Sequence, residues 1–211
     1  CQSLCDHFGT TRWCGGFIPT AFIDCSKRTA KTNYLILCAQ EFETNPYWIR
    51  KYYFLSEIQY KIMLIIRASE NHLDELARLF NLYRIFYEEK NNYQKAYDFI
   101  CARVEKEESV IYVASNENDQ LSGFVQLYPS FCSVALIPIM ILYDLYVDEN
   151  QRGKGIGRAL MNQASKHAKD NGFKRLELST AITNVIGQSL YESLNYQRDE
   201  DFYHYALELD D

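Results

Sequence analysis

The chain has 211 residues, of which 47% are hydrophobic and 15% aromatic, and it carries a formal net charge of −6. This composition supports a packed core and excludes global disorder, while the acidic balance argues against a general nucleic-acid binder, which would present a basic surface. No run of 18 apolar residues occurs, so we predict no membrane span.

Residues 1–60 differ from the rest of the chain. Five of the seven cysteines lie within the first 38 residues, and no sustained hydrophobic period is visible there. Cys1, Cys5, His7 and Cys14 are spaced like no compact zinc-ligand pattern, so we predict no metal site and expect free thiols in a reducing cytoplasm. We treat residues 1–60 as an N-terminal extension of unknown role.

From residue 61 the local patterns become regular. Ile62–Arg67 is a short apolar run typical of a strand, and Ser69 stands where a helix N-cap would stand. Two amphipathic helices are predicted next, because apolar residues recur at spacings of three and four. These residues are Leu73, Leu76, Ala77, Phe80, Tyr83 and Tyr87 in the first helix, and Tyr93, Ala96, Tyr97, Ile100 and Val104 in the second.

The second half of the chain alternates strands and helices. Two strands within residues 109–128 are predicted to form a hairpin, and Ile139–Val147 is a longer strand. A helix then runs from a glycine-rich stretch to the Asn-Gly pair at 171–172. A strand near 174–180, a short helix within 184–196 and a final strand at Phe202–Leu209 follow. This order indicates a mixed α/β domain over residues 61–211, without internal repeats.

The stretch Asn150–Leu160, NQRGKGIGRAL, places three of the chain's nine glycines close together. It lacks the Lys-Ser/Thr pair of a P-loop, and Leu160 occupies the last glycine position of a dinucleotide fingerprint. A flexible loop without a ligand would not explain the strand before it and the apolar helix after it. Glycine amides at a helix N-terminus bind anions, because the first N–H groups lack partners and the helix dipole is positive there. We therefore predict a phosphate-binding loop, with added charge from Arg152, Lys154 and Arg158.

Two segments carry a resemblance to a known family. Arg152-Gly153-Lys154-Gly155-Ile156-Gly157 resembles the R/Q-x-x-G-x-G/A signature of the GNAT superfamily of N-acetyltransferases, and DLYVDENQRGKGIGRALM is similar to its acetyl-CoA segment. TNVIGQSLYESLNY resembles its second signature, with Asn195 where the family usually has glycine. The resemblance covers about 150 residues and implies an α/β fold. Its central sheet is mixed and mostly antiparallel, flanked by helices, and splayed at the acetyl-CoA strand.

The resemblance implies acetyl-CoA as co-substrate and assigns residues to it. The backbone of the strand at Leu145, Tyr146 and Val147 would pair with the pantetheine amides, and residues 152–158 would hold the pyrophosphate. Asn184 would bind the pantetheine arm or the site backbone, a role compatible with capping a helix. Tyr191 matches the family's general-acid tyrosine, which would protonate the leaving thiolate, although a core aromatic would fit the same pattern.

The acceptor side is less specific. Asp144 lies on the strand beside the splay, where it would act as a general base or be a solvated carboxylate at the sheet end. Residues 88–89, which could border the acceptor pocket, and a water relay are the alternatives for the base. The resemblance places the end of the first helix at the acceptor site, where aromatic rings suit a cationic amine, and ordinary helix packing explains the same residues. The residues concerned are Tyr83, Arg84 and Tyr87.

Together these features predict an N-acetyltransferase that moves the acetyl group of acetyl-CoA to a primary amine of a small molecule or peptide. The amine would attack directly in a ternary complex. The alternative is a non-catalytic acyl-CoA-binding or regulatory module, which does not require Tyr191, and transfer of a longer acyl group is a third hypothesis. We expect a cytoplasmic homodimer with no metal, nucleic-acid or membrane partner.

Overall fold

The sheet contains the strands in chain order. The computed structural model describes residues 34–38, 61–116 and 118–209. Within these residues the strands are β1 Tyr34–Cys38, β2 Lys61–Arg67, β3 Val110–Asn116, β4 Leu121–Cys132, β5 Ile137–Val147 and β6 Arg175–Leu178. The central pairs β2–β3, β3–β4 and β4–β5 are antiparallel, whereas β1–β2 and β5–β6 are parallel. The mixed, mostly antiparallel sheet predicted from the sequence is confirmed.

Helices cover both faces of this sheet. The described helices are α1 Leu73–Phe86, α2 Tyr93–Glu105, α3 Ile156–Asp170 and α4 Val185–Glu192. α1 and α2 pack on one face, where Leu76, Leu79 and Ile100 are fully buried, and α3 packs on the other through Leu160 and Met161. Each helix follows its apolar stripe, so the helices predicted from periodicity form where they were expected. None of the helices in the described ranges is both long enough and apolar enough to cross a bilayer.

The predicted extension is described only in part. β1, which lies inside residues 1–60, pairs in parallel with β2 through main-chain contacts from Tyr34↔Lys61 to Cys38↔Ile65. The segments 1–33 and 39–60, and with them the cysteines and histidine weighed as zinc ligands, lie outside the described residues. The division of the chain at residue 61 stays a prediction.

Asparagines fix the turn between α1 and α2. Asn81 is buried, its Oδ1 accepts a hydrogen bond from the main-chain N of Asn92 at 3.1 Å, and its Nδ2 donates to Asn91 Oδ1 at 2.8 Å. Asn92 in turn caps α2 by accepting from the main-chain N of Lys95 at 3.0 Å. These contacts hold the C-terminal half of α1, which carries Tyr83, to the start of α2.

Strand β5 contains one extra residue that changes which face its side chains occupy. Gln126 pairs with Asp144 but Leu127 pairs with Leu142, so Tyr143 is left without a partner in a β-bulge. Side chains alternate along a strand, so the bulge shifts the phase by one residue. Leu142 therefore packs on the α3 face, whereas Asp144 lies on the α1 face.

β5 and β6 separate beyond their last pair, Leu142↔Leu178. β6 ends there while β5 continues to Val147, so residues 143–147 have no partner on the β6 side. The splay predicted around Leu145–Val147 is present and begins earlier, at Tyr143. Main-chain N–H and C=O groups on this edge can therefore pair with an extended ligand.

The prediction of a final strand at Phe202–Leu209 is wrong. These residues form no strand, and Tyr203 and Leu207 are 88% and 83% exposed. Their alternating apolar pattern satisfies the local test for a strand, but a strand also needs a hydrogen-bonding neighbour, and no strand of the described sheet pairs with them.

Candidate active site

Two glycines of the glycine-rich loop have a left-handed backbone, and the loop leads into the N-terminus of α3. Gly153 has φ +75° and Gly155 has φ +82°, a conformation that glycine adopts without steric penalty. Gly155 is the N-cap of α3, and Ala159 N donates to Gly155 O at 3.0 Å as the first hydrogen bond of the helix. The amides of residues 156–158 therefore have no partner within the helix and point out of its positive end.

Arg152 links this loop to the end of β5. Its Nε donates to Val147 O at 3.0 Å, and its guanidinium lies 5.6 Å from the ring centroid of Tyr146 and 5.7 Å from that of Phe86. The structure thus places Arg152 beside the splay, where it occupies one carbonyl of the edge predicted for pantetheine.

The other two cations of the loop also stay close to it. Lys154 Nζ donates to Asn150 O at 2.9 Å and to Gln151 Oε1 at 2.7 Å. Arg158 donates to Ser193 Oγ at 2.7 Å, next to the end of α4. The predicted loop therefore combines main-chain donors with three cationic side chains, an arrangement that fits a diphosphate.

α4 is capped by Asn184, whose side chain makes two contacts. Its Oδ1 accepts from Gly187 N at 3.1 Å, and its Nδ2 donates to Thr180 Oγ1 at 3.0 Å. A Cβ at Gly187 would lie 2.6 Å from Asn184 Nδ2, so a larger residue there would displace the cap. The cap predicted as compatible with a role in the site is therefore present.

Thr180 connects this cap to Tyr191. The Oγ1 of Thr180 accepts from Asn184, which leaves its own hydrogen to donate to the Tyr191 oxygen. Burial raises the pKa of Tyr191, and the hydrogen bond from Thr180 partly offsets that rise. Thr180 was not predicted as a site residue, because a threonine just after a strand has no distinctive sequence pattern around it.

A cleft of about 320 Å³ opens where β5 and β6 separate. It is lined by Tyr83, Tyr87, Ile141, Leu142, Tyr143, Ser179, Thr180 and Ala181. Of the three residues predicted on the acceptor side, Tyr83 and Tyr87 line this cleft, with ring centroids 5.1 Å apart. Arg84 does not line it, since its guanidinium is 3.3 Å from Glu89 Oε2 and 3.4 Å from Lys90 O. A second cleft, of about 380 Å³, lies where β2 ends and β3 begins and contains none of the predicted site residues.

Asp144 lies behind the cleft wall and contacts it through Tyr83. Its side chain is buried, its Oδ2 accepts from Gln126 Nε2 at 2.7 Å, and the hydroxyl of Tyr83 lies beside it. The same hydroxyl is 3.4 Å from the main-chain oxygen of Tyr143, to which it donates. Burial raises the pKa of Asp144, and the contacts with Gln126 and Tyr83 oppose that effect. The pKa of Tyr83 is also raised, first by burial and then by the charge of Asp144. The only route from Asp144 to the cleft that these contacts describe passes through the Tyr83 hydroxyl.

Neither Tyr191 nor Asp144 lines the cleft itself. Tyr191 adjoins it through Thr180, and Asp144 adjoins it through Tyr83. Within residues 34–38, 61–116 and 118–209, no group of three or more His, Cys, Asp or Glu side chains is arranged to hold a metal ion.

A splayed sheet with a helix N-terminus beside its open strand is the arrangement that the resemblance to acetyl-CoA-dependent acyltransferases implies. The acetyltransferase (GNAT) family model matches residues 75–196. The chain is 43% identical over 145 residues to the uncharacterized N-acetyltransferase YhfO of Bacillus subtilis, across 69% of this chain and 97% of that protein. The chain belongs to the acetyltransferase (GNAT) family, and it is an acetyltransferase.

Other relatives agree with this assignment. A probable acetyltransferase of Haemophilus influenzae is 29% identical over 132 residues, covering 63% of this chain and 86% of that protein. The crystal structure of a probable acetyltransferase is 38% identical, with a TM-score of 0.65 over 70% of this chain and 98% of that one. Acetyltransferases of this family use acetyl-CoA, and the binding-only alternative is not favoured, because these relatives are named as acetyltransferases.

Proposed function

We propose that the protein transfers the acetyl group of acetyl-CoA to a primary amine of a small molecule or peptide, by direct attack in a ternary complex. The observation that carries this proposal is the cleft at the β5–β6 splay. Tyr83, backed by Asp144, lies on one side of it, and Thr180, bonded to Tyr191, lies on the other. Acetylation of an ammonium ion needs a group that accepts its proton and is helped by one that protonates the thiolate, and Asp144 and Tyr191 would serve as these groups.

Acetyl-CoA is the first substrate, and three features of the chain suit it. The amides and cations of residues 152–158 would hold its diphosphate, and Gly155 lets the main chain approach closely. The free edge of β5 at Leu145, Tyr146 and Val147 would pair with the pantetheine amides as a peptide pairs with a sheet edge. Asn184 would act through Thr180 on the same side of the cleft.

The proposed reaction transfers protons through the residues that line the cleft. An alkylammonium has a pKa of about 10 and is not nucleophilic. It gives one proton to the Tyr83 oxygen while the Tyr83 proton passes to the Asp144 carboxylate. The neutral nitrogen then attacks the thioester carbon, and a C–N bond forms. A main-chain N–H of the β5 edge would stabilise the oxyanion.

Collapse of the intermediate breaks the C–S bond. The departing thiolate takes a proton from Tyr191, and the second proton of the nitrogen restores the Tyr191 phenol. One amide, one CoA thiol and one proton leave the site for each ammonium and acetyl-CoA consumed. Tyr191 and Asp144 thus act as proton donor and proton acceptor in this scheme.

The walls of the cleft favour a cationic acceptor. The rings of Tyr83, Tyr87 and Tyr143 offer π faces to an ammonium, and the Asp144 carboxylate adds negative charge behind them. Arg84, which contacts Glu89, would act on the acceptor from outside the cleft wall. A cytoplasmic location and a homodimer stay predictions of the sequence.

A panel of primary amines tests the proposal. Polyamines, amino acids, aminoglycosides and peptides with free N-termini are incubated with acetyl-CoA, thiol release is followed, and the product is identified by mass spectrometry. We expect N-acetylated product and initial-velocity lines that intersect, as a ternary complex requires. Thiol release without an acetylated amine, or parallel lines, contradicts the proposal. A series of acyl-CoA chain lengths separates acetyl transfer from transfer of longer acyl groups.

A further inference from the structure

A row of buried polar side chains crosses three strands on the α1 face of the sheet. Ser109 precedes β3, Gln126 is on β4 and Asp144 is on β5, and they are 6%, 0% and 6% exposed. Ser109 Oγ donates to Gln126 Oε1 at 3.0 Å, and Gln126 Nε2 donates to Asp144 Oδ2 at 2.7 Å. The row ends at Tyr83, so it connects the inside of the sheet to the wall of the cleft.

The hydrogen bond to Asp144 decides which way the Gln126 amide faces. If the amide were turned over, its oxygen would face the carboxylate of Asp144 in its ionised form, and two acceptors would meet without a proton between them. The Ser109 hydroxyl, which can donate or accept, donates to the amide oxygen in the observed orientation and so satisfies it. Gln126 therefore offers Asp144 a donor and presents no charge of its own.

Packing alone does not call for a glutamine at this position. The neighbours of Gln126 on β4, Phe124, Val125 and Leu127, are all fully buried apolar residues. A buried amide is unfavourable unless its groups are hydrogen-bonded, so an apolar side chain of similar size would serve the core better. The amide nitrogen donates to Asp144, and that contact gives the glutamine a role that packing does not.

We propose that Gln126 is a positioning residue for acetyl transfer, which holds the Asp144 carboxylate as an acceptor beside Tyr83, with Ser109 hydrogen-bonded to the oxygen of the Gln126 amide. This inference rests on the proposed function, in which Asp144 receives the amine proton through Tyr83. Sequence reasoning passed over both Gln126 and Ser109.

The groups near Asp144 show which contacts favour the ionised form of its carboxyl group. Tyr83 faces it from α1, and Tyr128 of β4 feels its charge; burial, with a smaller contribution from Asp144, raises the pKa of Tyr128 to about 12. Arg103 and Glu108 act on Tyr128 with opposite signs. The contacts that oppose the effect of burial on the pKa of Asp144 itself are those from Gln126 and Tyr83. Loss of the Gln126 donor should therefore leave the carboxylate harder to ionise.

The test replaces each member of the row in the full chain and follows Asp144 directly. Gln126→Met keeps the side-chain volume and removes the donor, and Ser109→Ala removes only the hydroxyl that bonds the oxygen of the Gln126 amide. Gln163→Met is the matched control, since Gln163 is another buried glutamine, 2% exposed, on α3. The Asp144 carboxyl is titrated by carbon-13 NMR, and the pH profile of kcat/KM is recorded with an amine from the panel.

We expect Gln126→Met to move the Asp144 titration, and with it the acid limb of the kcat/KM profile, upward by about one pH unit. Ser109→Ala should move both by a smaller amount, and Gln163→Met should move neither. An unchanged Asp144 titration in Gln126→Met and Ser109→Ala overturns the inference; so does a limb that stays in place while the titration moves. If Gln126→Met does not fold, Ser109→Ala decides on the same readouts. Absence of acetyl transfer by the wild-type chain would instead end the proposed function, and the NMR titration would still show whether Gln126 controls Asp144.

Discussion

Gln126 and Asp144 meet across β4 and β5, where the amide nitrogen of one lies 2.7 Å from a carboxylate oxygen of the other. Both side chains are buried on the face covered by α1, and the bulge at Tyr143 is what turns Asp144 to that face. A carboxyl group held in this way is linked to the stability of the fold as well as to its chemistry.

Asp144→Asn should raise thermal stability in a pH-dependent manner. Burial raises the pKa of Asp144 in the folded state above its unfolded value of about 3.9. The contribution of Asp144 to stability is therefore complete below that unfolded pKa and is lost as pH rises through the higher folded pKa. The gain in Tm of Asp144→Asn over wild type should be near zero at about pH 4 and should grow toward neutral pH, as measured by calorimetry. Exposed Asp98 supplies the control, Asp98→Asn, and an equal trend there would show that net charge alone is responsible.

Gly155→Ala should weaken CoA binding, and Gly172→Ala should not. Both glycines have a left-handed backbone, with φ +82° and +80°, so alanine should reduce stability by about 1–2 kcal/mol in each case. Only Gly155 lies at the N-terminus of α3, where we expect about a tenfold or greater loss of CoA affinity by calorimetric titration. Equal CoA affinities in the two folded variants would contradict the placement of the diphosphate.

Tyr191→Phe should lower kcat and leave CoA affinity nearly unchanged. Removal of a general acid reduces turnover by about 100-fold or more, whereas the loop at residues 152–158 keeps its donors. Tyr196→Phe is the matched control, because Tyr196 is also partly buried and its ring lies 6.2 Å from that of Tyr191. Similar losses of kcat in the two variants would assign the effect to packing.

Thr180→Val should act through Tyr191. The change keeps the shape of the side chain and removes the hydroxyl that bonds Tyr191, so we expect kcat to fall by about tenfold, the effect of one hydrogen bond of roughly 1.4 kcal/mol. In a double-mutant cycle with Tyr191→Phe, the second substitution should add little, since both remove the same interaction. Additive losses would separate Thr180 from the proton donor.

Tyr83→Phe should reproduce the kinetic defect of Asp144→Asn. Tyr83 lines the cleft and Asp144 does not, so either change interrupts the same route for the amine proton. We expect each to lower kcat/KM by about 100-fold at neutral pH and the double variant to be no worse than either. Exposed Tyr143→Phe on the same wall is the comparison; full activity of Tyr83→Phe would favour a water relay in place of the side chain.

The sequence predicts best what short-range chemistry controls. The start of α3 at Gly155 was predictable, because it depends on residues of one short loop. The Asn184 cap was predictable for the same reason, since its partner Gly187 lies in the same turn. The face that Asp144 occupies is not local, because it depends on how β5 pairs with β4. Gln126 gives no signal, since a single polar residue in an apolar strand has many explanations until its partners are known.

The error at Phe202–Leu209 has the same origin. The alternation of Tyr203, Tyr205 and Leu207 is a property of the segment, whereas a strand is a property of two segments. Likewise, the three residues predicted on the acceptor side lie in different surroundings, because Tyr83 and Tyr87 line the cleft whereas Arg84 contacts Glu89.

The bulge at Tyr143 decides which face of the sheet each side chain of β5 occupies. Before it, Met140 and Leu142 belong to the layer under α3; after it, Asp144 and Tyr146 belong to the layer under α1. If the same residues paired with β4 without the bulge, Leu142 and Asp144 would lie on one face, because side chains alternate along a regular strand. The hydrogen bond between Asp144 and Gln126 therefore depends on the unpaired residue as well as on the carboxylate.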